Sequence, residues 1–110
     1  MSAPAEGLRA YLAAYAARDL DAIAALLSDD VMLQDWNLRV AGRAAVLAET
    51  RKNFEAVRSL RIEVLQVYEA GQRAAAELRI VVDETITLDV VDALQFDAAG
   101  RISAIRAYKG

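Results

Sequence analysis

The stretch 86-ITLDVVDALQFDAAG-100 decides the fold. Taken at every second residue, Leu88, Val90, Asp92, Leu94 and Phe96 fall on one face of a strand. Thr87, Asp89, Val91, Ala93 and Gln95 fall on the other. Side chains alternate across a strand, so the apolar set faces a core. The stretch closes on Asp97-Ala98-Ala99-Gly100, a hairpin turn with Gly where positive φ is favoured. Asp92 is the anomaly in this pattern. An ionised carboxylate among Leu, Val and Phe costs on the order of several kcal/mol, so it stays neutral or is paired. A neutral carboxylic acid is a strong hydrogen-bond donor. Alternation alone leaves two readings open, a functional acid or an ion pair with Arg79 or Arg106.

Working outward, the second half of the chain is all strand. Residues 60–68, 73–82, 86–96 and 101–108 read as four antiparallel strands, with turns at Glu69–Gln72 and at Asp83-Glu84. The first half is mainly helical. Pro4 sits in a frayed start, and Leu8, Tyr11, Leu12 and Tyr15 form an apolar stripe at helical spacing. Arg18-Asp19 ends that helix, and Asp19 is a good N-cap for a second one lined by Ala22, Ile23, Leu26 and Leu27. Ser28-Asp29-Asp30 reads as a polar turn, followed by a short strand from Val31 to Trp36. A third helix is expected from Gly42-Arg43 to about Arg58, with Val46, Leu47, Thr50, Phe54 and Val57 inward. Helices followed by antiparallel strands make an α+β pattern. A strongly bent sheet wrapping the three helices forms a cone-shaped barrel with an apolar interior, where a small ligand would sit.

Composition narrows the chemistry. The 110 residues suffice for one domain spanning 1–110, and 56% of them are hydrophobic. Net charge is −3 and no basic stripe is present, which argues against a nucleic-acid partner. There is no Cys and no His, so thiolate, Ser-His and His-metal chemistry are excluded. Acid–base work must rest on Asp, Glu, Lys or Tyr. No clustered oxygen ligands resemble a calcium loop, and neither a metal nor a cofactor is expected. No run approaches the roughly 18 apolar residues of a membrane span, so a cytoplasmic protein is expected.

Three side chains then stand out. Asp92 is the first. Asp35 shares a face with Val31 and Leu33, which places it either at the cavity rim or in a solvated strand end. Tyr11 lies on the inward stripe of the first helix, as a core aromatic or a hydroxyl donor, with Tyr15 as its competitor. Trp36 reads as pocket wall or interface. Glu49, Arg51, Lys52, Glu55 and Arg58 read as a solvated helix face, and Glu63, Glu77 and Arg79 as exposed sheet positions.

The segments 18-RDLDAIAALLSDD-30, 31-VMLQDW-36, 42-GRAAV-46 and 88-LDVVDALQFDAAGRISAIRAY-108 resemble the bacterial ketosteroid isomerases. More broadly they resemble the SnoaL-like branch of the nuclear transport factor two superfamily, from about Leu8 to Tyr108. The resemblance implies a catalytic set of Asp35 as general base, with Tyr11 and a protonated Asp92 as oxyanion donors. Tyr11 matches the tyrosine eight positions before the turn ending in Asp19. Asp35 in Gln34-Asp35-Trp36 matches the base, and Val91-Asp92-Ala93-Leu94-Gln95-Phe96 matches the context of the neutral aspartate. Trp36, Leu33, Phe54, Val90 and Leu94 are expected to contact the substrate. The family's supporting tyrosines fall on Leu27 and Thr50, the proline after the base is Trp36, and isomerases run on beyond Gly110 with further pocket wall. The resemblance implies isomerisation of a small hydrophobic carbonyl substrate, without cofactor, in a homodimer formed through the sheet. The alternatives are a polyketide-cyclase-like carbon-acid enzyme and a non-catalytic binding domain.

Overall fold

The computed structural model describes residues 4–110. Its elements run α1 (Pro4–Ala16), α2 (Leu20–Leu26), β1 (Leu27–Gln34), β2 (Arg39–Ala41), α3 (Arg43–Glu55), β3 (Leu60–Ala70), β4 (Arg73–Val82), β5 (Ile86–Phe96) and β6 (Ile102–Lys109). The α+β architecture expected from the sequence is present. Three helices pack on one face of a six-stranded sheet ordered β2-β1-β6-β5-β4-β3. The sheet is mixed, because β1 runs parallel to β6 while every other pair is antiparallel. It is curled but unclosed, with β2 and β3 as its two edges. The expected barrel is therefore an open cone.

α1 is already helical at Pro4, the first described residue, where the sequence reading expected a frayed start. Proline suits a first helical position, since its missing N–H has no intrahelical partner to lose. The Ala5 amide donates to Glu69 Oε2 at 2.7 Å, which ties the helix start to the end of β3. Leu8, Tyr11 and Leu12 are buried as their spacing requires. Gly7 allows α1 to approach β5 closely, because a Cβ there would meet the Phe96 ring at 2.7 Å. Asp19 caps α2 by accepting the Ala22 amide at 3.0 Å.

Several boundaries differ from the sequence reading. Ser28, Asp29 and Asp30 are strand and not turn, and Leu27 opens β1 rather than closing α2. Leu27 pairs with Ile102, and an irregularity before Met32 absorbs the polar residues without breaking the strand. β2 was not foreseen, since three residues carry no usable alternation. β3 runs to Ala70 and β6 begins one residue late, at Ile102. α3 stops at Glu55, short of Arg58. Arg18 explains this end. It adopts φ 54°, and its guanidinium donates to the Val57 and Arg58 carbonyls, both at 3.0 Å. From the other side Asp83 Oδ1 accepts the Arg58 and Ser59 amides at 2.6 and 3.1 Å.

The core lies between α1, α2, α3 and the inner sheet face. Leu8, Ile23, Leu27, Val46, Leu78, Leu94, Ile102 and Ile105 are all but fully enclosed there. Among the described residues no helix is long and apolar enough to cross a membrane.

Candidate active site

Beside this core the open end of the cone holds a cavity of about 260 Å³. Apolar side chains make most of its wall, including Leu12 from α1, Phe54 from α3, Ile62 from β3, Ile80 from β4 and Leu88 from β5. Trp36, Asn37, Asn53 and Ala56 line it while remaining exposed, so they mark its mouth. The structure brings Tyr11, Asp35 and Asp92 together in this one cavity.

Asp92 takes its place from strand register. It sits opposite Ala76 of β4 and Ala107 of β6. Two methyl side chains beside the carboxyl leave room for a guest where larger residues would fill it. No hydrogen bond or ion pair reaches Asp92 from another described residue. Arg79 is taken by Glu63 and Asp89 on the outer face, and Arg106 stands opposite Ala93 on that same face. The ion-pair reading is thereby overturned. Burial among apolar groups raises the Asp92 pKa to about 7, against an ordinary 3.8.

Tyr11 is buried, with 4% of its surface exposed, and its hydroxyl likewise has no partner among the described residues. Its pKa is raised well above 10.0, first by burial and then by the nearby Asp92 charge. The hydroxyl therefore keeps its proton at neutral pH. Tyr15 is only half-buried and accepts a bond from Asn53 Nδ2 at 3.3 Å. Of the two competing tyrosines, Tyr11 is the one left unbonded beside Asp92.

Asp35 directly follows β1, in the turn of the β1–β2 hairpin. Its amide donates to the Leu38 carbonyl at 3.0 Å. Its Oδ1 accepts the Asn37 and Leu38 amides at 2.7 and 3.0 Å, an Asx-type turn. One carboxylate oxygen is spent on fixing the turn and the rotamer. Oδ2 has no partner among the described residues, and the half-buried side chain lines the cavity. The solvated strand-end reading is therefore incomplete, because the same residue belongs to the mouth.

Of the expected substrate contacts, Leu33, Trp36, Phe54 and Val90 line the cavity and Leu94 does not. Leu94 is 2% exposed and lies farther along β5, towards the end where Gly7 packs on Phe96. Alternation places a residue on a face, but it does not say how far the cavity extends along that face. Trp36 is 44% exposed and carries the Lys109 ammonium 5.3 Å from its ring centre. Asn53 escaped the sequence reading. Its helical spacing from Val46 and Thr50 was the available signal. Among the described residues no three acidic side chains converge to hold a metal ion.

Residues 8–105 match the SnoaL-like domain, which covers nearly all of the described chain. The chain belongs to the SnoaL-like family. Solved structures agree on the fold. A candidate ketosteroid isomerase of Kribbella flavida superposes with a TM-score of 0.85 at 24% identity, over 97% of this chain and 77% of the other. An LEH-like epoxide hydrolase of M. tuberculosis gives 0.83 at 19% identity, over 97% and 82%. A candidate polyketide cyclase of Sinorhizobium meliloti gives 0.84 at 18% identity, over 93% of each chain. No curated protein matches the chain in sequence. This SnoaL-like chain thus shares its NTF2-like, ketosteroid isomerase-like fold with proteins named for different reactions, and its own residues must argue its chemistry.

Proposed function

We propose that this SnoaL-like protein is a cofactor-independent isomerase of ketosteroid Δ-isomerase type, moving a proton α to a carbonyl. One observation carries the reading. Tyr11 and Asp92 place two proton-bearing groups, with no partner among the described residues, at the wall of an apolar cavity, and Asp35 stands at its mouth with a carboxylate oxygen unbonded among those residues. Both groups face the cavity without a bond to another described residue, so an oxygen entering the cavity, from a guest or from water, can meet them.

The mechanism follows from these roles. Asp35 Oδ2 removes a proton from the carbon beside the substrate carbonyl. Negative charge moves onto the carbonyl oxygen. Tyr11 Oη and neutral Asp92 donate hydrogen bonds to that oxygen, and the apolar wall strengthens both bonds. Asp35 then returns the proton to another carbon of the conjugated system. Only one carboxyl needs a charge at any stage. A general base contributes about 10²–10⁴-fold and an oxyanion donor about 10²–10³-fold.

A homodimer through the outer sheet face belongs to the same proposal. Tyr68, Val91 and Tyr108 stand exposed there, each between 37% and 53%. Sedimentation of wild type against Tyr108→Glu tests it; a dimer that becomes a monomer supports this face, and a monomeric wild type refutes it.

The catalytic test is conversion of a β,γ-unsaturated 3-oxosteroid to its conjugated isomer, run beside exchange of ketone α-hydrogens in deuterated buffer. Isomerisation that falls in Asp35→Asn and Asp92→Ala supports the full reading. Exchange without steroid turnover retains the acid–base set and assigns another carbonyl substrate, such as that of a polyketide-cyclase-like reaction. Phenol binding with neither activity makes the protein a binding domain.

A further inference from the structure

One polar pair in the cavity takes no part in the proton transfer. Asn53 and Tyr15 both line it, joined by the 3.3 Å bond to Tyr15 Oη. Tyr15 is fixed in place. Its ring meets Phe54 edge-on at 4.9 Å and is tilted against Tyr11 at 5.9 Å. Its pKa is raised by burial, drawn down by the Asn53 bond, and raised again by the charges of Asp92 and Asp35. The hydroxyl thus lies within reach of both carboxyl fields while bonded to neither.

That single bond leaves both partners unsaturated. A tyrosine hydroxyl both donates and accepts, and a carboxamide offers two donors and an acceptor. Whichever way the amide is turned, the pair retains a free donor and a free acceptor. A hydrocarbon tail seated against it would strip water from these groups and return nothing. A hydroxyl or carbonyl oxygen would replace that water with matched bonds.

We infer that Tyr15 and Asn53 form a second polar subsite, selecting substrates with a hydroxyl or carbonyl oxygen besides the carbonyl that meets Tyr11 and Asp92. The inference rests on the carbonyl-activating role proposed for those two residues. The cavity volume of about 260 Å³ lies just below the roughly 300–1,000 Å³ usual for ligand pockets, so both oxygens belong to one compact molecule.

Calorimetric titration with 2-naphthol and the isomeric naphthalenediols tests this. One naphthol hydroxyl stands in for the oxyanion and the second probes the new subsite. At least one diol should bind wild type about 3- to 10-fold more tightly than 2-naphthol. Tyr15→Phe, which keeps the ring, and Asn53→Ala, at an exposed helix position, should each erase that advantage, so that the diols bind each variant no more tightly than 2-naphthol does. Tyr11→Phe should weaken every ligand and preserve the advantage. No diol advantage in wild type, or an advantage that survives Tyr15→Phe, overturns the inference. If 2-naphthol binding ignores Tyr11→Phe, the carbonyl-activating role fails instead. A diol advantage that still needs Tyr15 and Asn53 would then leave the subsite standing alone.

Discussion

Asp89 and Asp92 lie three residues apart on β5 and face opposite ways. Asp89 is exposed, and its carboxylate stands 3.7 Å from Arg79, which also approaches Glu63 at 3.8 Å. Asp92 faces the cavity, flanked by Ala76 and Ala107, and forms no ion pair among the described residues. One side chain is a solvated charge in a surface ion-pair row. The other is an acid whose burial holds its proton to about pH 7. The difference lies wholly in which face of a pleated strand each occupies. A strand can therefore carry a surface charge and a chemical tool within one turn of its alternation.

The largest expected effect concerns the partner of that tool. Asp35→Asn should lower α-proton exchange about 10²–10⁴-fold, while Asp89→Asn leaves it unchanged. Equal losses would erase the contrast between the two faces.

The second effect is on stability. Asp92 has an ordinary pKa of 3.8, expected in the unfolded chain, and about 7 when folded. Between those values the folded state holds the extra proton, so stability falls as pH rises through this window and levels off above it. The shift corresponds to about 4 kcal/mol at 1.36 kcal/mol per unit. Urea unfolding at a series of pH values should show this fall in wild type and its disappearance in Asp92→Asn. Asp89→Asn should retain it.

A third effect separates donor from charge. Asp92→Ala should cost about 10²–10³-fold in turnover. Asp92→Asn keeps an N–H donor and should retain more activity. It should also lose the alkaline fall in kcat/KM that begins near pH 7 as Asp92 ionises. The smallest effect belongs to the outer face. Asp89→Asn should change stability by less than about 0.5 kcal/mol, as expected for an exposed pair.

The same contrast explains what could be read in the sequence. The β5 alternation exposed Asp92 because an acid in an apolar row violates a strict period. Asp19 and the turns at Asp83-Glu84 and Gly100 were legible because each carries its local chemistry in its own residues. Asp35 was harder, since its placement at the cavity depends on a hairpin with β2, whose three residues show no pattern. The early end of α3 was illegible for a similar reason: it is set by Arg18 and Asp83, distant in sequence from the helix they stop. Leu94 was misplaced because period 2 reports a face and not the depth of a cavity. The Tyr15–Asn53 pair joins two helices and appears only once both are packed.

The central claim is that Asp92 is a proton-bearing acid in the free protein. Carbon-13 NMR of carboxyl-labelled protein, with Asp92 assigned by comparison with Asp92→Asn, measures it directly. The account predicts a titration midpoint near 7 for Asp92. A midpoint near the ordinary carboxylate value of roughly 3.9 would contradict it.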